Sequence, residues 1–224
     1  MAKQNNLLIF ILTIGVFGIL NTEMGVIGLL PSIAGHFNVS ISKAGWLVSL
    51  FALTIAVSGP TMPLLFSGIN RKKVMLLVLG VFILGNIVSI FTSNFTILLI
   101  ARIIPAFFHP IYCSLAFTVA ASSVSKEEAP KAVSKVFIGV SAGMVAGVPI
   151  ASFIDSAVSY EMAMAFFAVV NSIVFIATLI FVPSMPIERC QYFGNIQIPH
   201  LETTDENVFI WNQFERALYA FTIV

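Results

Sequence analysis

Three ionisable side chains stand where apolar residues are the rule, and they define the chemistry open to this chain. Glu23 follows Asn21 and Thr22 inside one long apolar run, and Arg102 and His109 share another. Charge inside a membrane is expensive, so such residues face a cavity or a partner and mark solute or proton paths. Arg102, Ala106, His109 and Cys113 recur at intervals of four, three and four, which lines them along one face of a helix. Glu23 reads as a titrating group and Arg102 as the charge that sets how readily it ionises: a nearby cation favours a carboxylate, whereas apolar surroundings disfavour it. The competing reading is a fixed ion pair that only pins two helices together. His109, set among aromatics, reads either as a packing residue or as a direct participant.

Other chemistries find little support. No HExxH motif and no pair of acids on opposed runs is present, so an enzyme is not expected. Cys113 and Cys190 are too few for a disulfide framework or a metal site, and no cofactor is implied.

The elements that must hold these residues are membrane helices. The chain is 58% hydrophobic and 9% charged, with a mean hydropathy of +1.01; a soluble chain carries roughly 25% charged residues. Apolar runs lie near 7–30, 44–66, 74–91, 96–120, 132–154 and 163–182. A hydrocarbon core of about 30 Å takes about 20 residues at 1.5 Å each, so each run spans, the third being short. The fold class expected is an all-α membrane protein of six transmembrane helices.

Cations set the orientation. Lys3, Arg71, Lys72, Lys73, Lys126, Lys131, Lys135, Arg189 and Arg216 fall on one side of the spans and Lys43 alone on the other. This bias predicts a cytoplasmic N-terminus and cytoplasmic 67–73 and 121–131 loops. The basic clusters are then topology signals, and nucleic acid is not an expected partner; the lipid bilayer is. Asp155 and Glu161 fall on the outer side. Glu23 lies roughly 7 Å beyond the centre of the outward-running first span and Arg102 roughly 9 Å before the centre of the inward-running fourth, which predicts a shared depth.

Gly139, Gly143, Gly147 and Ala151 stand at strict four-residue spacing in the fifth run, a ridge that admits another helix closely. Pro149 near its outer end adds a break, making the ridge a candidate gate. Pro105 and Pro110 predict a kink in the fourth span beside a cavity. Ser125 to Glu128 (SKEE) reads as a capping box opening the fifth helix. After Pro183 the acids outnumber the bases and periodicity is lost, so 184–224 reads as a poorly ordered cytoplasmic tail.

In combination these features resemble the N-terminal six-helix half of a major facilitator superfamily transporter, and more narrowly the twelve-span drug:proton antiporters and arabinose-efflux-permease-like proteins. Four stretches carry the likeness: 22–34 (TEMGVIGLLPSIA), 44–53 (AGWLVSLFAL), 99–102 (LIAR) and 139–151 (GVSAGMVAGVPIA). The family's loop between spans two and three, G-x-x-x-D-R-x-G-R-R, is only partly kept: Ser67 and Gly68 replace its Asp and Arg and Asn70 its Gly, while Arg71 and Lys72 remain. The resemblance covers about 5–189 and implies a 3+3 inverted repeat in a multi-pass plasma-membrane protein of the bacterial inner membrane. It implies proton-coupled efflux of small drug- or sugar-like solutes, with protons as partners. An uptake facilitator of the same fold and a non-transporting or regulatory fragment are the alternatives. Since family members rock two halves about a midplane site, a second six-helix half or a second copy is the expected partner. The end of the likeness near Arg189 predicts a shortened or frame-shifted product.

Overall fold

The computed structural model describes residues 2–66 and 69–183, which form helices and no strand. In chain order these are α1 (Ala2–Gly28), α2 (Leu30–His36), α3 (Ile41–Ala44), α4 (Trp46–Ser58), α5 (Met62–Leu65), α6 (Arg71–Phe91), α7 (Phe95–Ser122), α8 (Ala129–Ala157) and α9 (Tyr160–Phe181). Six stretches are long and apolar enough to cross a membrane: Asn5–Gly28, Ile41–Ser58, Arg71–Phe91, Phe95–Ser122, Ala129–Ala157 and Tyr160–Phe181. The expected tail at 184–224, with Ser67 and Gly68, lies outside the described residues.

Side-chain caps place several starts. Asn70 Oδ1 accepts from Lys72 N at 3.1 Å, Asn94 Oδ1 from Thr96 N at 2.8 Å and Ser159 Oγ from Met162 N at 3.4 Å, each satisfying a first-turn donor. The Asn70 cap starts α6 before its three basic residues, so the third span is longer than its apolar run. Pro31 sits in the first turn of α2, where a missing N–H costs nothing, and α1 therefore ends at Gly28 and restarts. The second span stops at Ser58, ahead of Gly59 and Pro60.

The capping box expected at Ser125 to Glu128 is not formed. The carbonyl of Ser125 accepts from the backbone of Glu128 and Ala129, each at 3.0 Å, closing a turn instead. Helix α8 begins at Ala129 behind an N-cap at Glu128 that makes no side-chain bond. Pro130 explains the later start: it is favoured in a helix's first turn and forbidden four residues in, where the box would have put it. Pro105, Pro110 and Pro149 lie inside helices that run on through them.

Packing repeats the internal symmetry. Exchanging spans one to three with four to six turns the α1–α8 contact into α7–α4 and the α6–α7 contact into α9–α1, while α6–α9 maps onto itself; all of these pairs touch. That is the contact pattern of a 3+3 repeat. Helix α1 is the axis, 67% of its span being buried, against 28% for the second span and 22% for the fifth. The glycine ridge of α8 lies on α1. A Cβ on Gly143 would meet Leu20 Cβ at 2.7 Å and the Phe17 carbonyl at 2.9 Å; one on Gly147 would meet the Asn21 carbonyl at 3.2 Å; one on Gly139 would collide with the Thr13 carbonyl. Spans one and five run parallel, so the contacts climb both helices together.

Candidate functional site

Glu23, near the far end of α1, comes against His109 in the middle of α7, with Glu23 Oε2 3.1 Å from His109 Nε2. The distance is that of an ion pair. Both side chains are largely withdrawn, at 16% and 11% exposed. Phe51 of α4 covers the imidazole at 6.3 Å between ring centres, and Cys113 Sγ lies 3.9 Å from Nε2, one turn further along α7.

Arg102 does not pair directly with Glu23. Its Nη2 donates to the Thr22 carbonyl at 2.8 Å, and the Phe51 ring lies 5.6 Å from the guanidinium carbon, within cation–π range. Glu23 is still close enough for its charge to act on the guanidinium. Arg102 is 4% exposed, and its Nε has no protein partner. A narrow crevice beside it is walled by Phe51, Phe82, Asn86 and Pro105. Phe51 thus contacts both cationic residues of α7, a role its place in the sequence did not announce.

Asn21 is fully buried, its backbone lies under Gly143 and Gly147, and neither side-chain amide atom has a hydrogen-bond partner. It belongs to the α1–α8 seam. Sequence reasoning also missed Asn171: its Nδ2 donates to Thr22 Oγ1 and to the Phe167 carbonyl, both at 2.9 Å, tying α9 to the turn of α1 that Arg102 holds. Asn86 is buried as well. The available signal was an amide in the interior of an otherwise apolar span, as informative there as a charge.

The remaining candidates are spread along the bundle. Gly139, Gly143 and Gly147 are buried in α8 against α1, Ala151 is buried on the same helix, and Pro149 is an exposed residue of it. Arg71, Lys72 and Lys73 form the first turn of α6 at the basic end, where Lys72 Nζ donates to the Leu179 carbonyl at 2.8 Å. That contact places a cation at the C-terminal end of the α9 dipole. The acids expected on the opposite side share that end: Asp155 accepts from Ser32 Oγ, and Glu161 lies 3.5 Å from His36 Nδ1.

Six helices long and apolar enough to cross a membrane define a polytopic membrane protein. The sequence profile of the Major Facilitator Superfamily matches residues 12–201. The chain belongs to that superfamily, whose members are transporters, not enzymes. It is 35% identical over 182 residues to the uncharacterized MFS-type transporter YtbD of Bacillus subtilis, covering 81% of this chain and 46% of that protein. It is 36% identical over 151 residues to the inner membrane transport protein YdhP of Escherichia coli K12, covering 67% of this chain and 39% of YdhP. Its fold matches the crystal structure of the human organic anion transporter MFSD10 (TETRAN) with a TM-score of 0.65 at 18% identity, over 82% of this chain and 49% of that one. The chain thus spans less than half the length of the curated relatives it matches.

Proposed function

We propose that the chain forms one wall of a proton-coupled efflux transporter for small solutes, with Glu23 and His109 as the proton site. The observation that carries this reading is the 3.1 Å contact between a carboxylate and an imidazole, both shielded and both within spans. When one proton is shared, the pair is neutral overall or a balanced ion pair, and Arg102 supplies the local charge. A second proton adds a positive charge beside that guanidinium, so a cationic solute is repelled as the proton arrives. Competition of this kind exchanges solute for proton. Arg102 positions α1 through the Thr22 carbonyl and raises the electrostatic cost of the doubly protonated state.

The second wall would come from another six-helix unit, either a separate half or a second copy. The basic end carrying Arg71, Lys72 and Lys73 would face the cytoplasm of a bacterial inner membrane, with the N-terminus. In vesicles, solute-driven proton release is the test. Glu23→Gln and His109→Gln should each lower it at least tenfold while membrane insertion persists. Normal proton-driven efflux by Glu23→Gln would leave the pair a structural pin and end this reading; solute movement inward under the same gradient would favour the uptake alternative.

A further inference from the structure

We propose that Cys113 and His109 form a two-coordinate site for a soft monovalent cation, Cu(I) or Ag(I), held between Sγ and Nε2. Both residues belong to α7, four positions apart, so their side chains share one face of the helix. The same spacing lets pairs of helical histidines bind zinc. Cys113 Sγ and His109 Nε2 are already in contact, 3.9 Å apart. With zinc's bond lengths as a guide, about 2.3 Å to sulfur and about 2.0 Å to nitrogen, donors on opposite sides of one ion stand about 4.3 Å apart. The gap therefore admits an ion after a small shift of either side chain.

Ligand number, charge and access set the class of ion. Two cysteines are too few for a tetrahedral thiolate site. Glu23 Oε2 meets the same nitrogen, yet no group of three His, Cys, Asp or Glu among the described residues is disposed to hold a metal. Zinc takes four ligands, whereas a thiolate with a single imidazole suits a soft ion that is satisfied by two. The thiol loses its proton to the medium as the sulfur–metal bond forms. Thiolate, neutral imidazole and monovalent ion then sum to zero charge, which suits a shielded place where an uncompensated charge is costly. Cys113 is a free, half-buried thiol, so the ion enters from the sulfur side. His109 is 9% exposed and its Nδ1 has no protein partner, so the ring is not committed through its other nitrogen. A bound ion takes the nitrogen that faces Glu23. On the reading above it also halts proton exchange, but the binding stands whatever the pair does in transport.

Silver(I) in chloride-free buffer is the probe, with the full chain purified in a Cys190→Ser background so that Cys113 is its one thiol. One Ag(I) per chain should be retained in competition with free cysteine, which offers sulfur in a simple amino acid without the imidazole. Cys113→Ser should abolish retention. His109→Gln should weaken it at least about tenfold, since even residues that merely hold a metal ligand in place are worth that much. His36→Gln, a change of the same kind in α2, should leave it unchanged. X-ray absorption at the silver edge should show one sulfur and one imidazole nitrogen, recognised by scattering from the ring carbons, and needs no change at His109. Failure to hold Ag(I) against cysteine overturns the proposal. So does retention that His109→Gln leaves intact, or a silver ion bound by two sulfurs from paired chains.

Discussion

At the level of single side chains, the decisive feature is which residue the shielded carboxylate of Glu23 meets. Charge content alone marked Glu23 and Arg102, and reckoning depth along each span put them level. The structure gives Glu23 to His109 and Arg102 to the Thr22 carbonyl. The shared depth holds, since Arg102 reaches the residue beside Glu23; what a count along the helix does not fix is the acceptor, and a long guanidinium stem reaches a backbone oxygen as readily as a carboxylate. A double-mutant cycle on Glu23→Gln and His109→Gln, followed by unfolding in detergent–dodecyl sulfate mixtures, should show coupling. Contacting residues interact by about 0.5–3 kcal/mol, and losses that sum within about 0.5 kcal/mol would mean that the two side chains do not sense one another. The residue scale also sets what Arg102→Lys does. A lysine keeps the charge but loses the planar fork and the stacking on Phe51, so solute-coupled proton movement should fall several-fold with little change in expression. Full activity of this variant would show that charge alone suffices.

At the level of helices, the small-residue ridge was legible and its partner was not. Four-residue spacing in 139–151 announces close approach, but nothing in the sequence says that α1 is what approaches. The clashes an added methyl would meet rank the sites. A Cβ on Gly139 collides with the Thr13 carbonyl, a backbone atom that cannot step aside; Gly143 faces Leu20 Cβ and the Phe17 carbonyl below 3.0 Å; Gly147 meets its neighbours at 3.1 to 3.2 Å. Gly35 in α2 has open space. Alanine at these positions should therefore lower the melting temperature of the purified chain in the order 139, 143, 147, with about 1–3 kcal/mol lost at the tightest. Gly35→Ala should be neutral or slightly stabilising, because alanine is the better helix former. Equal tolerance at 139 and 35 would refute the parallel seam between α1 and α8. The misplaced start of α8 teaches the same lesson from the other side: Ser125 and Glu128 have the spacing of a capping box, yet Pro130 decides where the helix begins. A local motif yields to the residue that removes a backbone donor.

At the scale of the whole molecule, six spans and their alternation follow from hydropathy, because lipid leaves the backbone no other partner than itself. Their arrangement does not follow, since lipid is as apolar as a helix face and hydrophobicity cannot choose neighbours. The choice is made by small residues and buried amides, as where Asn171 of α9 finds Thr22 of α1. Orientation, by contrast, is carried by cations outside the apolar spans, and it yields the sharpest prediction at this scale. Among the described residues Arg71, Lys72, Lys73, Lys126, Lys131 and Lys135 lie at one end of the spans and Lys43 at the other, Arg102 being buried within a span. Ser42 and Lys73 are both exposed, at opposite ends of the bundle. With Cys113→Ser and Cys190→Ser as background, a membrane-impermeant maleimide should label Ser42→Cys in intact cells and Lys73→Cys only in everted vesicles. Retaining Lys43 keeps its contact with the Phe95 ring, 5.7 Å away, so the label reports position without disturbing that end. The reverse pattern would put the N-terminus outside. The Glu23–His109 pair near the far end of α1 would then lie towards the opposite compartment, and the proposed export direction would lose its support.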